Sequence, residues 1–378
     1  MDEKLNKNTD ENLNKKATKN IMTYIIIFFV GCLVMYAVVS FFPVAITEDV
    51  IKEVRDVTIN DTGIAEAVAK VYDSVVVVST YRDGTYIASG TGFVYRQDGD
   101  TYYLLTNYHV IEDGDNVTVT FTNGDVVETE IVGHDEYADI AVLSIESDIE
   151  LTVAELGDNE ESRVGDTAFA VGAPLDSAYS WTVTRGIISG KDRMVEVSVS
   201  NSNTSDYVMK VLQTDAAINS GNSGGPLCNA NGEVIGITSL KLISSGVEGM
   251  GFAIPIEDAV EKAEQIISGD VSAYPVIGIS MLDFSNAYYS QYYSLIRNSG
   301  LENGVIVTSV ENGSAADEAG IEANDIITAI DGEEVLNSAY LRYYLYQHSV
   351  GDDITVTVYR DGSTRDLKLT LSADGQTA

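Results

Sequence analysis

Most of the chain alternates short apolar runs with polar turns, beginning near residue 64. The runs are rich in β-branched and aromatic residues, and Asp83-Gly84 and Asn123-Gly124 separate several of them with dipeptides typical of tight hairpins. This spacing is typical of a closed antiparallel barrel, and the second half of the region repeats it. We therefore predict two β-barrels, with strands near residues 75–81, 102–106, 117–121, 126–132 and 140–145 in the first and 167–171, 181–188, 194–199, 207–212 and 234–239 in the second.

Two stretches have a helical pattern instead. Residues 21–46 contain no charge, and a run of 26 residues exceeds the roughly 20 needed to cross a bilayer as a helix. A signal peptide is the alternative, but its apolar region is typically about 7–15 residues long and ends at a small-residue cleavage site, for which residues 41–45 offer no convincing sequence. Residues 256–268 have apolar positions at helical spacing and are expected to close the preceding domain.

The flanks of the apolar segment predict its orientation. Lys15, Lys16 and Lys19 precede it, and Glu48 and Asp49 follow it. Because positive charge stays on the cytoplasmic side, we expect a single-pass cell-membrane protein with a cytoplasmic N-terminus and an extracytoplasmic remainder. We expect a polar, disordered tail, an uncleaved transmembrane helix and an acidic linker over residues 1–20, 21–46 and 47–64, respectively.

The net charge of −36 is extreme. Residues 1–20 hold five Lys and four Asp or Glu, so the rest of the chain holds 17 basic against 54 acidic residues. Such a surface disfavours nucleic acid and anionic lipid as partners and favours solubility. The two cysteines are Cys32, inside the apolar segment, and Cys228, which excludes a disulfide framework within the soluble part.

Three separate stretches carry residue types used in nucleophilic catalysis. His109 ends an apolar run, Asp139 begins another, and Ser223 lies in a glycine-rich turn. Taken singly, each has an ordinary explanation as a strand-end histidine, a turn aspartate or a Gly/Asn/Ser turn. Together they follow the chymotrypsin order of His, Asp and Ser, in which the imidazole takes the serine proton, the carboxylate fixes the histidine tautomer and backbone N–H groups hold the oxyanion.

At these positions the chain resembles the HtrA/Deg family of serine proteases, in its membrane-anchored bacterial form. Six motifs in order carry the resemblance, which runs from about residue 64 to residue 372: residues 89–93, 106–110, 138–143, 182–189, 213–227 and 249–255.

The resemblance implies a mostly β fold, with a chymotrypsin-like double β-barrel protease domain over residues 65–268 and a PDZ domain over residues 274–374. It also implies no metal or organic cofactor, and assembly as a homotrimer or larger. The catalytic residues would be His109, Asp139 and Ser223. The oxyanion hole would lie at Gly221, Asn222 and Ser223, with the N–H groups of Gly221 and Ser223 as donors. In the PDZ domain, Ile277, Gly278 and Ile279 would bind the carboxylate of C-terminal peptides.

The residues before the serine predict the substrate pocket. Trypsin-like enzymes place an acid six residues before the nucleophile, and here that position is Ala217, followed by Ile218. Because neither side chain is ionised, the pocket is expected to accept small or medium aliphatic residues rather than Lys or Arg.

These features predict a membrane-anchored, ATP-independent serine endopeptidase that cleaves misfolded or exported proteins in extracytoplasmic quality control. Two alternatives stay open. One is a catalytically silent chaperone or adaptor that acts through its PDZ domain. The other is a specific regulatory protease that cuts one signalling partner. Whether the PDZ domain gates the protease or only collects substrate is also open.

Overall fold

A computed structural model describes residues 19–36, 61–148, 150–172, 181–197, 207–219, 221–240, 249–269, 274–288 and 290–373. The chain divides into two compact units, residues 1–60 and residues 61–378. In the first unit, helix α1 spans Lys19–Tyr36 and is long and apolar enough to cross a membrane. Of the tail predicted over residues 1–20, residues 1–18 lie outside the described residues, and Lys19 and Asn20 belong to helix α1. Residues 37–46 and 47–60 also lie outside the described residues.

The second unit opens with helix α2, Asp61–Val71, and a 3₁₀ turn, Tyr72–Ser74. Helix α2 begins inside the segment expected to be a linker, whose last residues, from Asp61 on, are therefore helical. Its Ala67 and Val71 are buried in the main hydrophobic core, which explains why this end of the segment is ordered against the barrels.

Six strands close the first barrel in the order β1-β2-β3-β6-β5-β4. Alternation sets the inward face; in β4, for example, every second residue is buried because Val117 and Val119 point into the barrel. A short helix, α3 (Tyr108–Ile111), follows β3. The strands are β1 Val75–Arg82, β2 Thr85–Asp98, β3 Thr101–Thr106, β4 Asn116–Thr120, β5 Val126–Asp135 and β6 Ile140–Glu146.

A second six-stranded barrel closes in the order β10-β11-β12-β9-β8-β7. Its interior is filled by small and branched residues such as Ala168, Leu212, Leu227 and Ile235. Helix α4, Ile256–Ser268, follows the last strand and packs back on the first barrel at β5 and β6. The strands are β7 Thr167–Gly172, β8 Thr182–Val197, β9 Tyr207–Thr214, β10 Pro226–Asn229, β11 Val234–Thr238 and β12 Gly251–Pro255.

The C-terminal module is a sheet ordered β14-β15-β16-β18-β19, with β17 paired to β16 and a separate β13–β20 pair. Helix α8, Ser338–Leu345, begins at the side-chain cap of Asn337 and buries Leu341 and Leu345 in the module's core. The strands are β13 Pro275–Val276, β14 Ile279–Asp283, β15 Val305–Val310, β16 Ile326–Ile330, β17 Glu333–Glu334, β18 Asp353–Arg360, β19 Ser363–Thr370 and β20 Ser372–Ala373; the remaining helices are α5 Phe284–Ala287, α6 Tyr293–Ser299 and α7 Ala315–Ala319.

The predicted mostly β fold with two barrels and a PDZ-like module is confirmed, and so is the helix Ile256–Ser268. Three strands of the barrels were not predicted: β2, β10 and β12. All three contain Gly or Pro, which weaken strand signals, and all three pair on both edges inside a barrel. The stretches expected as separate strands at 181–188 and 194–199 form one long strand, β8, up to residue 197, because paired neighbours support it across its irregular middle.

Candidate active site

The carboxylate of Asp139 lies in a turn that the two flanking strands fix. Asp135 ends β5 and pairs with Ile140 at the start of β6, so Asp139 is the last residue of a four-residue hairpin turn. Its backbone has φ of 53°, a left-handed conformation that Asp tolerates better than most residues. The backbone carbonyl of Asp139 accepts hydrogen bonds from Asn107 Nδ2 at 2.9 Å and Tyr108 N at 3.2 Å, which ties this turn to the segment carrying His109.

The imidazole of His109 faces this carboxylate. His109 Nδ1 lies 2.9 Å from both Oδ1 and Oδ2 of Asp139, and the His109 backbone N–H donates to Oδ1 at 3.1 Å. Ser239 Oγ donates to Oδ2 at 2.9 Å. Asp139 is fully buried, so its charge is compensated by donors rather than by water. An acceptor at Nδ1 keeps the proton on that nitrogen and leaves Nε2 free to accept another.

Ser223 lies in the turn that precedes strand β10 of the second barrel. Its backbone carbonyl accepts from Thr91 N at 2.8 Å, and Thr91 Oγ1 donates to the Gly221 carbonyl at 2.6 Å, so strand β2 of the first barrel holds the serine loop. Leu240 N donates to Ser223 Oγ at 3.0 Å. Among the described residues, His109 makes no hydrogen bond to Ser223 Oγ.

Gly224 lets the serine loop approach the first barrel. Its φ is +84°, and a Cβ there would lie 2.1 Å from the carbonyl oxygen of Thr91 and 2.4 Å from Thr106 Oγ1. Both distances are impossible for a side chain, so no other residue fits this position without displacing the backbone. This contact fixes where Ser223 stands.

The expected oxyanion-hole residues form the preceding turn. Gly221 has φ of 102°. Asn222 N donates to the Asn219 carbonyl at 3.0 Å, so this N–H holds the turn itself. The N–H groups of Gly221 and Ser223 make no hydrogen bond to another described residue, which leaves them able to donate to a bound group.

The two residues expected in the substrate pocket have different surroundings. Ala217 is exposed, and its carbonyl accepts from Thr184 Oγ1 at 2.9 Å. Ile218 is buried in the core of the second barrel, with its Cγ1 2.6 Å from where a Cβ on Gly251 would lie. The Asp215 carboxylate accepts from Ile187 N at 2.7 Å, on strand β8.

A groove lies beside strand β14 in the C-terminal module. Its volume is about 440 Å³, and its lining includes Ile277, Gly278 and Ile279 together with Leu341 and Leu345 of helix α8. Strand β14 pairs with β15 on one edge and, in the part of the chain that the structure describes, has no strand on the other. An extended peptide can add to such an edge.

Gly278 has a steric reason of its own to be glycine. Its φ is +76°, and a Cβ would lie 2.3 Å from the Cβ of Ser314. Three tyrosines of the same module pack locally: the Tyr288 and Tyr293 rings lie 5.7 Å apart, and Tyr292 packs against a small core around Phe284.

Sequence reasoning missed several residues that hold the site. Thr91, Ser239 and Leu240 contact the Ser223 loop, Asp139 and Ser223 Oγ, respectively. Each acts through a long-range contact made by a small or backbone group, and no sequence pattern signals such a contact. Among the described residues, no group of three His, Cys, Asp or Glu side chains is placed to hold a metal ion.

Comparisons with known proteins agree with this architecture. A trypsin-like peptidase domain model matches residues 90–237, and a PDZ domain model matches residues 275–371. The chain is 41% identical over 285 residues to serine protease Do-like HtrB of Bacillus subtilis (strain 168), covering 75% of this chain and 62% of that protein. It is 37% identical over 343 residues to serine protease Do-like HtrA of Lactococcus lactis subsp. lactis (strain IL1403), covering 82% of this chain and 84% of that protein.

Solved structures give the same result. The HtrA-type protease AlgW with decapeptide superposes with a TM-score of 0.64 at 28% sequence identity, covering 83% of this chain and 99% of that one. The serine endoprotease from Yersinia pestis superposes with a TM-score of 0.61 at 29% identity, covering 82% of this chain and 97% of that one. With its two barrels, its PDZ domain and these relatives, the chain belongs to the HtrA family of Do-like serine proteases and is a serine endopeptidase.

Proposed function

We propose that this protein cleaves peptide bonds through an acyl-enzyme formed on Ser223, with His109 as general base and acid and Asp139 as the group that orients it. The observation that carries the proposal is the buried Asp139 carboxylate within 2.9 Å of His109 Nδ1. An acceptor at Nδ1 keeps the proton there and leaves Nε2 able to accept the Ser223 proton.

The reaction begins when Ser223 Oγ leaves the Leu240 N–H and turns to His109 Nε2. His109 takes the Oγ proton as Oγ bonds to the substrate carbonyl carbon, and Asp139 stabilises the imidazolium. The imidazolium then protonates the leaving amine nitrogen as the C–N bond breaks. Water, deprotonated by His109, attacks the ester and releases the acid and the free Ser223 hydroxyl.

The oxyanion formed in each half-reaction is held by backbone N–H groups. The donors are those of Gly221 and Ser223, because the N–H of Asn222 is used within the turn. Preorganised donors of this kind cost no reorganisation at the moment of reaction, and removing one typically lowers kcat about 10²–10³-fold.

Cleavage follows small or medium aliphatic residues. The exposed Ala217 is uncharged, Ile218 packs in the barrel core behind it, and Asp215 is directed to a backbone N–H of β8 rather than to a substrate cation. A peptide library with a clear preference for Arg or Lys at the cleaved position would refute this part of the proposal.

The PDZ groove beside β14 takes the C-termini of polypeptides. A solved relative, the HtrA-type protease AlgW, is described with a decapeptide, which supports peptide binding by this protein. The substrates are unfolded or misfolded exported proteins, and the protein assembles as a homotrimer or larger.

Helix α1 anchors the protein in the membrane, with its N-terminus in the cytoplasm. Eighteen residues give a helix of about 27 Å, close to the roughly 30 Å hydrocarbon core of a bilayer. The apolar sequence continues beyond Tyr36 to residue 46, which lengthens the candidate span. Protease accessibility in intact cells tests the orientation, since external protease should remove the catalytic part and leave the N-terminal tail.

The decisive experiment compares the detergent-solubilised full chain with its Ser223→Ala variant on an unfolded casein-like protein, with cut sites read by mass spectrometry. Cleavage by the wild type alone, after aliphatic residues, supports the proposal. If neither protein cleaves the substrate, even with hydrophobic C-terminal peptides added, the result would favour a PDZ-based chaperone or adaptor. The absence of a Ser223–His109 hydrogen bond among the described residues also fits that role. A wild type that ignores unfolded chains but cuts one folded partner would instead be a specific regulatory protease.

A further inference from the structure

The turn that carries Asp139 is built around another carboxylate, Asp135. Asp135 Oδ1 accepts from the backbone N–H groups of Tyr137 and Ala138 at 3.0 and 2.9 Å. These two residues directly precede Asp139, so the position of the Asp135 carboxylate sets the path of the chain into Asp139. The side chain of Asp135 is 2% exposed, and solvent therefore contributes little to holding it.

The other oxygen of this carboxylate is held from outside the first barrel. Lys262 Nζ, on helix α4, lies 3.3 Å from Oδ2. Tyr274 OH, at the start of the PDZ module, donates a short hydrogen bond to the same oxygen. Burial and the nearby Asp135 carboxylate raise the pKa of Tyr274, which keeps its hydroxyl protonated as a donor. One end of the Asp139 turn is thus fastened by a residue that belongs to the neighbouring module.

Aromatic packing fastens the middle of the same turn. The Tyr137 ring lies 4.8 Å from the Tyr274 ring and 5.1 Å from the Tyr346 ring, measured between centroids, and both contacts are edge-on. The rings of Tyr274 and Tyr346 are themselves 4.2 Å apart. Tyr346 directly follows helix α8 of the PDZ module. Edge-on ring pairs at these distances are attractive, so the Tyr274 and Tyr346 rings both help to hold Tyr137 in place.

We propose that Tyr274 is a positioning residue for the catalytic carboxylate: its hydroxyl and ring hold Asp135 and Tyr137, and through them the Asp139 turn. The active site is then complete only while the PDZ module is docked on the first barrel. The inference rests on the proposed function, since it assumes that Asp139 orients His109 during peptide cleavage.

Removing the hydroxyl and removing the ring should have graded effects. Tyr274→Phe leaves Asp135 its two backbone donors and Lys262, so the fold survives while the carboxylate loses one tether. Tyr274→Ala also removes one ring contact of Tyr137, which keeps its contacts with Tyr346 and Tyr207. Because a misplacement of about 1 Å in a catalytic group costs about 10²-fold in rate, we expect kcat to fall about tenfold in the Phe variant and about 100-fold in the Ala variant.

The experiment measures kcat and KM of the full-length protein on a short peptide amide that ends in an aliphatic residue and carries no free carboxylate, so that the PDZ groove takes no part. Active sites are counted by covalent labelling of Ser223 with a fluorophosphonate. Tyr288→Phe is the matched control, since Tyr288 lies on the PDZ module and is 58% exposed. The same Tyr274 changes are then made in an Asp139→Asn background, where kcat is expressed per folded protein because labelling needs an activated Ser223.

We expect kcat per labelled site to be lower in Tyr274→Phe and lowest in Tyr274→Ala, with KM nearly unchanged and with no effect in the control. In the Asp139→Asn background we expect no further loss of kcat, because Tyr274 acts through Asp139. Wild-type kcat per site in both Tyr274 variants, or an equal loss in both backgrounds, would overturn it. A wild type that neither cleaves nor is labelled refutes the proposed function instead, whatever the variants do.

Discussion

Replacing Asp139 with Asn is the most informative single change at this site, because the structure predicts which way the new amide must face. Oδ1 of the carboxylate accepts a hydrogen bond from the His109 backbone N–H and also contacts His109 Nδ1. Oδ2 contacts the same Nδ1 and accepts a hydrogen bond from the Ser239 hydroxyl. A backbone N–H can only donate, so the Asn oxygen is required at the Oδ1 position.

The Asn nitrogen therefore occupies the Oδ2 position, where the Ser239 hydroxyl can rotate to accept from it. There it also lies 2.9 Å from His109 Nδ1. Nδ1 lies equally near the amide oxygen at the Oδ1 position, but that oxygen already accepts the His109 backbone N–H, so we expect the amide N–H to donate to Nδ1 and the imidazole proton to move to Nε2. In that tautomer His109 cannot accept the proton of Ser223, and the negative charge that would stabilise the imidazolium is absent.

In a Ser-His-Asp triad this exchange lowers kcat about 10⁴-fold, which corresponds to about 5.4 kcal/mol of transition-state stabilisation. The size and shape of the side chain are retained, so the protein should fold, bind substrate and keep its KM. The assay is the initial rate of peptide amide cleavage, with thermal unfolding followed in parallel by circular dichroism. A loss below about tenfold would refute the tautomer argument, as would a loss explained wholly by unfolding.

Ser239→Ala is the matched control, because it removes a donor to the same carboxylate but keeps the charge. The Ser239 hydrogen bond holds Asp139 equally in the resting state and in the transition state, so its loss should act mainly on the stability of the fold. We expect the free energy of unfolding to fall by about 1.5–3 kcal/mol, and kcat to fall by less than about tenfold. A large loss of kcat with little loss of stability would show that Ser239 takes part in catalysis.

Three further changes test the surrounding structure. Gly224→Ala would place a Cβ 2.1 Å from the Thr91 carbonyl, so Ser223 labelling should be lost along with several degrees of melting temperature, and a normally labelled variant would contradict the packing argument. Gly278 has a φ of +76° and no room for a Cβ. Gly278→Ala should therefore weaken the binding of hydrophobic C-terminal peptides at least tenfold, measured by fluorescence anisotropy, while cleavage of a blocked peptide amide persists. Arg360→Ala removes the cation beside the buried carboxylate of Asp325, which among the described residues keeps only the Glu322 N–H, and should cost about 3 kcal/mol of PDZ stability in urea unfolding; a cost under about 1 kcal/mol would show that the pair is solvent-screened.

Local patterns of residues predict some elements of this fold, whereas contacts between distant residues decide others. Strand β1 and helix α4 follow from residue pattern alone, because β-branched alternation and helical spacing act over a few neighbouring positions. Strand β2 was missed because its Ser-Gly-Thr-Gly segment has weak strand propensity, and its pairing with β1 and β3 overrides that propensity.

The sequence by itself determined the two-barrel class, the apolar N-terminal helix and the set His109, Asp139 and Ser223 as candidates, because each depends on residue type and spacing. The PDZ module followed from the resemblance to the HtrA/Deg family. Only the tertiary structure decided how these residues are held. Thr91 binds the serine loop across the barrel interface, and Tyr274 fastens the Asp139 turn from the PDZ module. Such contacts join positions more than a hundred residues apart, so they exist only once the strands are paired and the modules are packed.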